Sequence, residues 1–469
     1  MFERLDAVKP ALQKLIAALR ERFAYASVLA TDERYRMWRV SKNGISITSE
    51  GDGGYGFVIR VFDETGCAEY SINTFSEELI PAIVKEMQAR LEAERAALPE
   101  GVTPLPTAIP DDSPAVLKKE AQFEIDPAAL GDEAILERIA RIREKGMQAE
   151  HVLDVSCNVT YCAERKLFLS EHRDLDETHM WTTAGVGAFG ARGEELKNSY
   201  KGYSLLGGAE LLSEVEHDVG DVTATLGDLL RSEPMIPGEY DCVCNPEVTG
   251  MIVHEAFGHG VEMDMFVKDR AQARQFMGEY VASPLVTMHD GSAVDECATW
   301  AFDDEGTLTG DTVIIDKGVL RRGMCDALSA ARLGVTPTGN GRRESYERKA
   351  YTRMTNTYFE GGGATMEEMI ASIPYGFLLE EPTSGMEDPK NWGIQCMVNI
   401  AREIRDGKLT GRVVSPIVLT GYVPDLLKSV SMMGGKIELA GGGYCGKGYK
   451  EWVKVSDGGA CMKARIRLG

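Results

Sequence analysis

Two imidazoles flank a carboxylate in the stretch His254-Glu-Ala-Phe-Gly-His-Gly-Val-Glu-Met-Asp264. Hydrolytic metal centres use such a set: neutral imidazoles hold a divalent ion, and a glutamate takes a proton from water. The common zinc-protease spacing, His-Glu-x-x-His, places its histidines at i and i+4 on one helix face. Here the second histidine stands at i+5, which on an ideal α-helix turns the rings roughly 140° apart, at about 100° per residue. They can share one ion where the helix widens into a π-type turn or distorts near its end. Gly258 and Gly260 bracket His259 and tolerate such a distortion. A buried histidine satisfied by one hydrogen bond is the commoner use of this residue, so the setting matters.

The setting is a helix opening at Asn245-Pro246-Glu247, with a cap, a proline in the first turn and an early acid. Val248, Met251, Ile252 and Val253 predict that it is buried. Three potential metal-site side chains in so apolar a stretch point to chemistry.

Composition bounds the rest. Fifty-one basic against 73 acidic residues give a net charge of −22, which repels phosphate backbones and argues against direct nucleic-acid binding. An acidic surface that binds a DNA enzyme stays open. With 43% apolar residues in 469, the chain is globular and long enough for two or three domains. The opening residues, Met1 to Asp6, lack the apolar run of a signal peptide, and no stretch is long enough to span a bilayer. A cytoplasmic protein without membrane contact is expected. The ten cysteines show no framework spacing and are expected to be reduced; Cys242 and Cys244 read as core thiols on one strand.

The elements that must position the motif predict an α+β protein. Residues 1–97 form an N-terminal α+β subdomain, with helices over about 4–23 and 77–97 and antiparallel strands around 35–41, 45–49 and 56–62. A linker, 98–114, carries Pro99, Pro104, Pro106, Pro110 and Pro114. A second α+β subdomain, 115–232, has helices near 133–145 and 208–231 and strands around 152–161, 166–170 and 179–191. The two blocks share a rhythm but no residue identity that proves a repeat. Residues 233–469 carry short apolar runs broken by glycine, at 312–315, 376–379, 395–403, 412–418 and 436–439. They predict a strand-rich barrel or curved sandwich with the metal helix packed against it.

His254 to Glu262 resembles the signature of the TldD/PmbA proteins, also labelled modulators of DNA gyrase. Further similar segments follow in order: Phe302-Asp-Asp-Glu-Gly-Thr307, Gly339-Asn-Gly-Arg-Arg-Glu-Ser-Tyr346, Arg353-Met-Thr-Asn-Thr-Tyr358, Val414 to Gly421, and Gly443-Tyr-Cys-Gly-Lys447. The resemblance covers the whole chain, weakly in the first half and strongly in the second. It implies a zinc metallopeptidase acting on unfolded or extended peptides. It also implies a dimer, either of two like chains or with a TldE-like subunit that lacks the motif. By position it makes His254, His259 and Cys445 the metal ligands and Glu255 the general base. One departure is Pro382-Thr-Ser-Gly-Met-Glu-Asp-Pro-Lys-Asn-Trp392, where relatives have a glycine-rich stretch before a Thr-Ser-Gly strand; the tail after Lys447 also diverges.

For the third ligand the residues offer three candidates. Glu262 is about 80° round an ideal helix from His254. Cys461 lies in the diverged tail. Cys445 lies between Gly441-Gly-Gly443 and Gly446, a loop flexible enough to bring a thiolate to a distant helix, and zinc accepts sulfur readily. Cys445 is the expected ligand, with Glu262 bracing the helix or bonded to a ligand from behind. Arg342 and Arg343 either place a peptide terminus or lie in a solvated loop, and Asp303 and Asp304 either form a turn or serve the site. Two other functions stay open: a non-catalytic regulator, for example of gyrase, using the acidic surface, and a metal-dependent hydrolase of another bond, such as a cyclic amide.

Overall fold

Helices whose apolar residues recur at helical spacing cover one face of a long antiparallel sheet in the first half of the chain. The computed structural model describes residues 2–49, 54–63, 66–99, 101–102, 109–448 and 450–469. Leu5, Leu12, Leu15 and Leu19 of Glu3–Arg20 share a core with Met87 of Ile80–Ala96 and with Val28, Ile59 and Val61 of the strands. A second pair of helices, Asp132–Gly146 and Leu212–Leu229, buries Ile135, Ile139, Val215 and Val219 against Val155 and Val159. Both cores rest on one sheet, because Tyr25–Ser41 pairs with Val152–Leu169 from Val28↔Leu169 to Val40↔Cys157. The segments before and after 98–114 therefore share backbone hydrogen bonds. Of that linker, residues 100 and 103–108, with Pro104 and Pro106, lie outside the described residues.

The strands are longer than their alternation predicts. Tyr25–Ser41 begins ten residues ahead of the expected 35–41. Its first eight residues are all buried, so they carry no alternation to read. The burial comes from both sides. Leu29, Val58, Phe168 and Leu175, on the face away from the helices, pack on Phe302 and Tyr346 of the second half. The strands Gly66–Ile72 and Glu195–Leu205 also extend the sheet beyond expectation.

The second half contains a closed five-stranded barrel. Gly238–Cys244 pairs in parallel with Tyr375–Asp388, which pairs with Gly393–Arg405, then Ile417–Tyr422, then Met462–Leu468, which returns to Gly238–Cys244. Cys242, Cys244, Phe377, Ile394, Cys396 and Leu419 belong to its core. A second sheet, which includes Asn356–Phe359 and Ser456–Gly459, lies on the other side of the helix Pro246–Ile252. That helix is pressed so close that a Cβ on Gly250 would lie 2.7 Å from the Cα of Gly458. The helix carrying the two histidines is thus held between barrel and sheet.

Candidate metal centre

Asn245 caps this helix, its side chain accepting the Val248 N–H at 2.9 Å, and Pro246 takes the first turn. After Ile252 the chain widens into a π-helix over Val253–Gly258. Hydrogen bonds from i to i+5 bring residues five apart onto one face, which is what the His254–His259 spacing requires. The two rings stand 5.1 Å apart and perpendicular. Gly258 and Gly260 serve here through space and not through unusual dihedrals. Gly258 is right-handed at φ −58°, and a Cβ there would lie 2.3 Å from Met354 Sδ. A Cβ on Gly260 would lie 2.4 Å from Glu387 Oε1.

Cys445 arrives from the hairpin of Tyr444–Lys447 and Lys450–Lys454. Its Sγ lies 3.2 Å from His254 Nε2 and 3.3 Å from His259 Nε2, and the three atoms lie within 4.8 Å of one another. Burial pushes the Cys445 thiol up, but hydrogen bonds and charge from the two histidines outweigh it and bring it down to about 5. Burial opposes charge on His254 and His259, yet the thiolate raises both above the usual histidine range, aided at His259 by Glu262. The donor set fits a zinc ion: bonds of about 2.3 Å to sulfur and about 2.0–2.1 Å to nitrogen at tetrahedral angles separate N and S by about 3.5 Å.

The outer ring nitrogens face carboxylates. His259 Nδ1 lies 3.4 Å from Glu262 Oε2, and His254 Nδ1, buried and without a hydrogen bond, lies 3.8 Å from Asp457 Oδ2. Burial and the neighbouring acids push Asp457 up to about 6 despite His254. Glu262 is committed elsewhere, to Arg353 Nε through Oε1 and to Lys447 Nζ through Oε2. Burial alone would raise its carboxyl; Lys447, His259 and Arg353 hold it well below the usual range. Cys461 packs beside Met369 and Ile373, apart from the centre.

Glu255 projects from the π-helix into a cleft of about 590 Å³ that His254, Tyr200 and the strand residues Thr383 to Gly385 also line. A Cβ on Gly385 would lie 2.3 Å from Glu255 Cγ. Glu387, in the divergent segment, accepts the Gly260 N–H on Oε2 at 2.9 Å and leaves Oε1 without a partner.

Several residues around the centre are not legible from chemistry-bearing patterns. Arg353 donates to the Cys445 carbonyl and to the Glu451 carbonyl, and Lys447 bridges Glu262 and Asp264. Both stand in family-like segments, which was their only signal. Arg342 and Arg343 are buried, not in a solvated loop, and do not line this cleft: Arg342 Nη1 donates to the Met354 carbonyl at 2.6 Å, and Arg343 Nη1 to Glu69 at 2.8 Å. Asp303 forms a turn, accepting from Glu305, Thr307 and Gly341 N–H groups, and Asp304 meets Lys166 at 2.7 Å. Nor does Cys445 sit in a pliant loop. It lies on a strand, and a Cβ on Gly441 would lie 2.8 Å from Cys297 Cβ.

Residues 237–456 match the PmbA/TldA metallopeptidase C-terminal domain. A metalloprotease of Methanothermobacter thermautotrophicus is 28% identical over 360 residues, 76% of this chain and 74% of the relative. A zinc metalloprotease TldD homologue of Saccharolobus solfataricus is 28% identical over 262 residues, 54% of this chain and 58% of the relative. The chain spans 41–51% of the length of several other curated relatives, among them the Haemophilus influenzae TldD homologue at 36% identity and 41% of its length. Its fold is that of TldE from Thermococcus kodakarensis, with a TM-score of 0.75 at 16% identity over 98% of this chain and 100% of that one. The likeness to the PmbA/TldD family is thus strongest over residues 237–456, which match its metallopeptidase C-terminal domain.

Proposed function

We propose that this chain is a zinc-dependent metallopeptidase that hydrolyses unfolded or extended peptides. The observation that carries the reading is the convergence of His254 Nε2, His259 Nε2 and Cys445 Sγ, with His254 and the neighbouring Glu255 lining one cleft. A thiolate with two imidazoles favours zinc among the divalent metals, and the name of the S. solfataricus relative supports the same ion. When bound, zinc supplies Lewis-acid polarisation of a carbonyl and of water. Glu262 and Asp457 orient the imidazoles from behind. Glu255 takes the proton from the attacking water and returns it to the leaving amine.

The cleft suits a chain without secondary structure. Past Leu379, the strand Tyr375–Asp388 leaves Gly238–Cys244, and among the described residues it then pairs with Gly393–Arg405 alone. Its free edge at Thr383 to Gly385 runs along the cleft, where an extended peptide can pair by main-chain hydrogen bonds. Such recognition reads shape more than sequence. The working assembly is a dimer, with a second copy or with a TldE-like subunit, and likeness to TldE supports a partner of the same fold. The free cysteines suit a reducing cytoplasm.

The test is Glu255→Ala. The variant is expected to keep one zinc per chain and to lose hydrolysis of an unfolded casein, whereas His254→Ala loses both. Wild-type hydrolysis by the Glu255→Ala protein, or wild-type protein without metal after chelator-free purification, overturns the reading.

A further inference from the structure

Two buried lysines share a second cavity and differ in their partners. The cavity, about 180 Å³, lies where the long sheet of the first half meets the hairpin that carries Cys445. Trp181, Trp300, Tyr444 and Trp452 line it together with Lys166 and Lys454. Tyr444 and Trp452 are each about half exposed, so the cavity opens to solvent beside them. Tyr444 also lines the cleft of Glu255, and the two spaces adjoin at that residue.

Lys166 Nζ lies 3.9 Å from the centre of the Trp300 ring, 2.7 Å from Asp304 and 3.9 Å from Glu164. Lys454, 8% exposed, also meets rings, with Nζ 4.3 Å from the centre of Trp181 and 4.7 Å from that of Tyr444. There the likeness ends. The Lys454 ammonium makes no hydrogen bond, and no carboxylate among the described residues lies within ion-pair distance of it. Ring faces attract a cation but offset only part of what a buried ammonium loses on leaving water. Burial accordingly pushes Lys454 below the usual lysine range despite Cys297, Cys162 and Glu296, whereas Asp304 and Glu164 hold Lys166 above it. The other charges of the lining are engaged. Arg342 donates to the Met354 carbonyl and Arg343 to Glu69, and Glu344 accepts the Glu451 N–H at 2.9 Å. Glu33 lines the cavity outside ion-pair distance of Lys454. One buried cation is thus left without a counter-charge, beside a space walled by aromatic rings.

We propose that this cavity is a binding site for a small carboxylic acid with a single aromatic ring, held with its ring against the tryptophan and tyrosine walls and its carboxylate paired with Lys454. The size agrees: a buried cavity of about 150 Å³ takes up benzene, and this one leaves room for a carboxylate on the ring. A carboxylate supplies the counter-charge that Asp304 and Glu164 supply to Lys166. The site is distinct from the metal ligands and does not rest on the peptidase reading.

The zinc-loaded protein is titrated with benzoate, benzamide and benzylamine, followed by calorimetry and by the fluorescence of the cavity tryptophans. Benzoate is expected to bind saturably and about tenfold or more tighter than the neutral and cationic compounds of similar shape, the gain of a charge-assisted hydrogen bond. A buried pair is screened little, so the preference should survive about 0.5 M salt, unlike adsorption to surface cations. Lys454→Met should abolish the preference while benzamide binding and zinc content stay unchanged. Benzoate can also bind a metal ion, so the titration is repeated on protein stripped of zinc, where the same preference is expected. That wild-type comparison decides the matter even where the variant fails to fold. No saturable binding, equal affinity for benzoate and benzamide, a preference lost with zinc, or one retained by Lys454→Met overturns the site.

Discussion

The guanidinium of Arg353 donates through Nη2 to the carbonyl oxygen of Cys445 at 2.9 Å. Its Nε reaches Glu262 at 3.2 Å, so one buried side chain ties the Cys445 hairpin to the carboxylate behind His259. Arg353→Met leaves Glu262 in a buried place with Lys447 as its remaining cation. Removing one partner of a buried pair costs about 3–5 kcal/mol. Denaturant unfolding of the metal-free variant reads that loss, and chelator competition should show weaker zinc binding. An unchanged midpoint and affinity contradict the assignment.

Glu387 holds the end of the histidine helix by accepting the Gly260 N–H. Losses of groups that orient metal ligands lower affinity about 10–100-fold, and Glu387→Ala is expected in that range. Glu387→Gln retains an acceptor oxygen and should recover most of the affinity. Equal affinities in the two variants would show that the hydrogen bond to Gly260 does not position His259.

Gly258→Ala places a methyl group against Met354, a fully buried side chain. Overpacking of this kind costs about 1–3 kcal/mol. Met354→Ala should relieve it, so the double variant is expected to lose less than the two single losses added. Strict additivity in a double-mutant cycle rules the clash out.

His179 is buried, with Nε2 at 2.9 Å from the Cys297 carbonyl and its ring stacked on Trp300. Burial pushes its pKa down from 6.5 to about 3, and the Cys297 hydrogen bond only partly opposes this. The folded protein therefore keeps His179 neutral while the unfolded chain protonates below pH 6.5. Its contribution to stability is complete above that pH. It is lost at about 1.4 kcal/mol per pH unit as pH falls towards the folded value. His179→Phe removes this proton uptake, so its unfolding free energy should fall less steeply than wild type between pH 6.5 and about 4.5. Parallel slopes would place the titration elsewhere.

Local features of this protein are legible because their causes are local. The i+5 spacing of His254 and His259 calls for a widened turn or a distorted helix end, and Val253–Gly258 is a π-helix. Asn245 caps the helix through the nearest N–H groups. The four long helices of the first half follow their periodicity to within a few residues. Strands buried on one face show alternation, but Tyr25 to Asp32 is buried on both and shows none.

What the amino-acid order determines alone is the chemistry on offer and the short elements that present it: two imidazoles, a carboxylate, a cap and a π-turn. Tertiary structure decides which distant groups join them. Cys445, 191 residues from His254, is offered in the sequence by family likeness and by its thiol between glycines, neither of which places it at the histidines. Arg353, Lys447, Asp457 and Glu387 have no spacing relation to the motif at all. Their positions follow from the closure of the barrel and from the second sheet packing on Gly250. Propensity and periodicity act over a few residues, whereas these contacts form only when the apolar surfaces on both sides of the histidine helix are buried together.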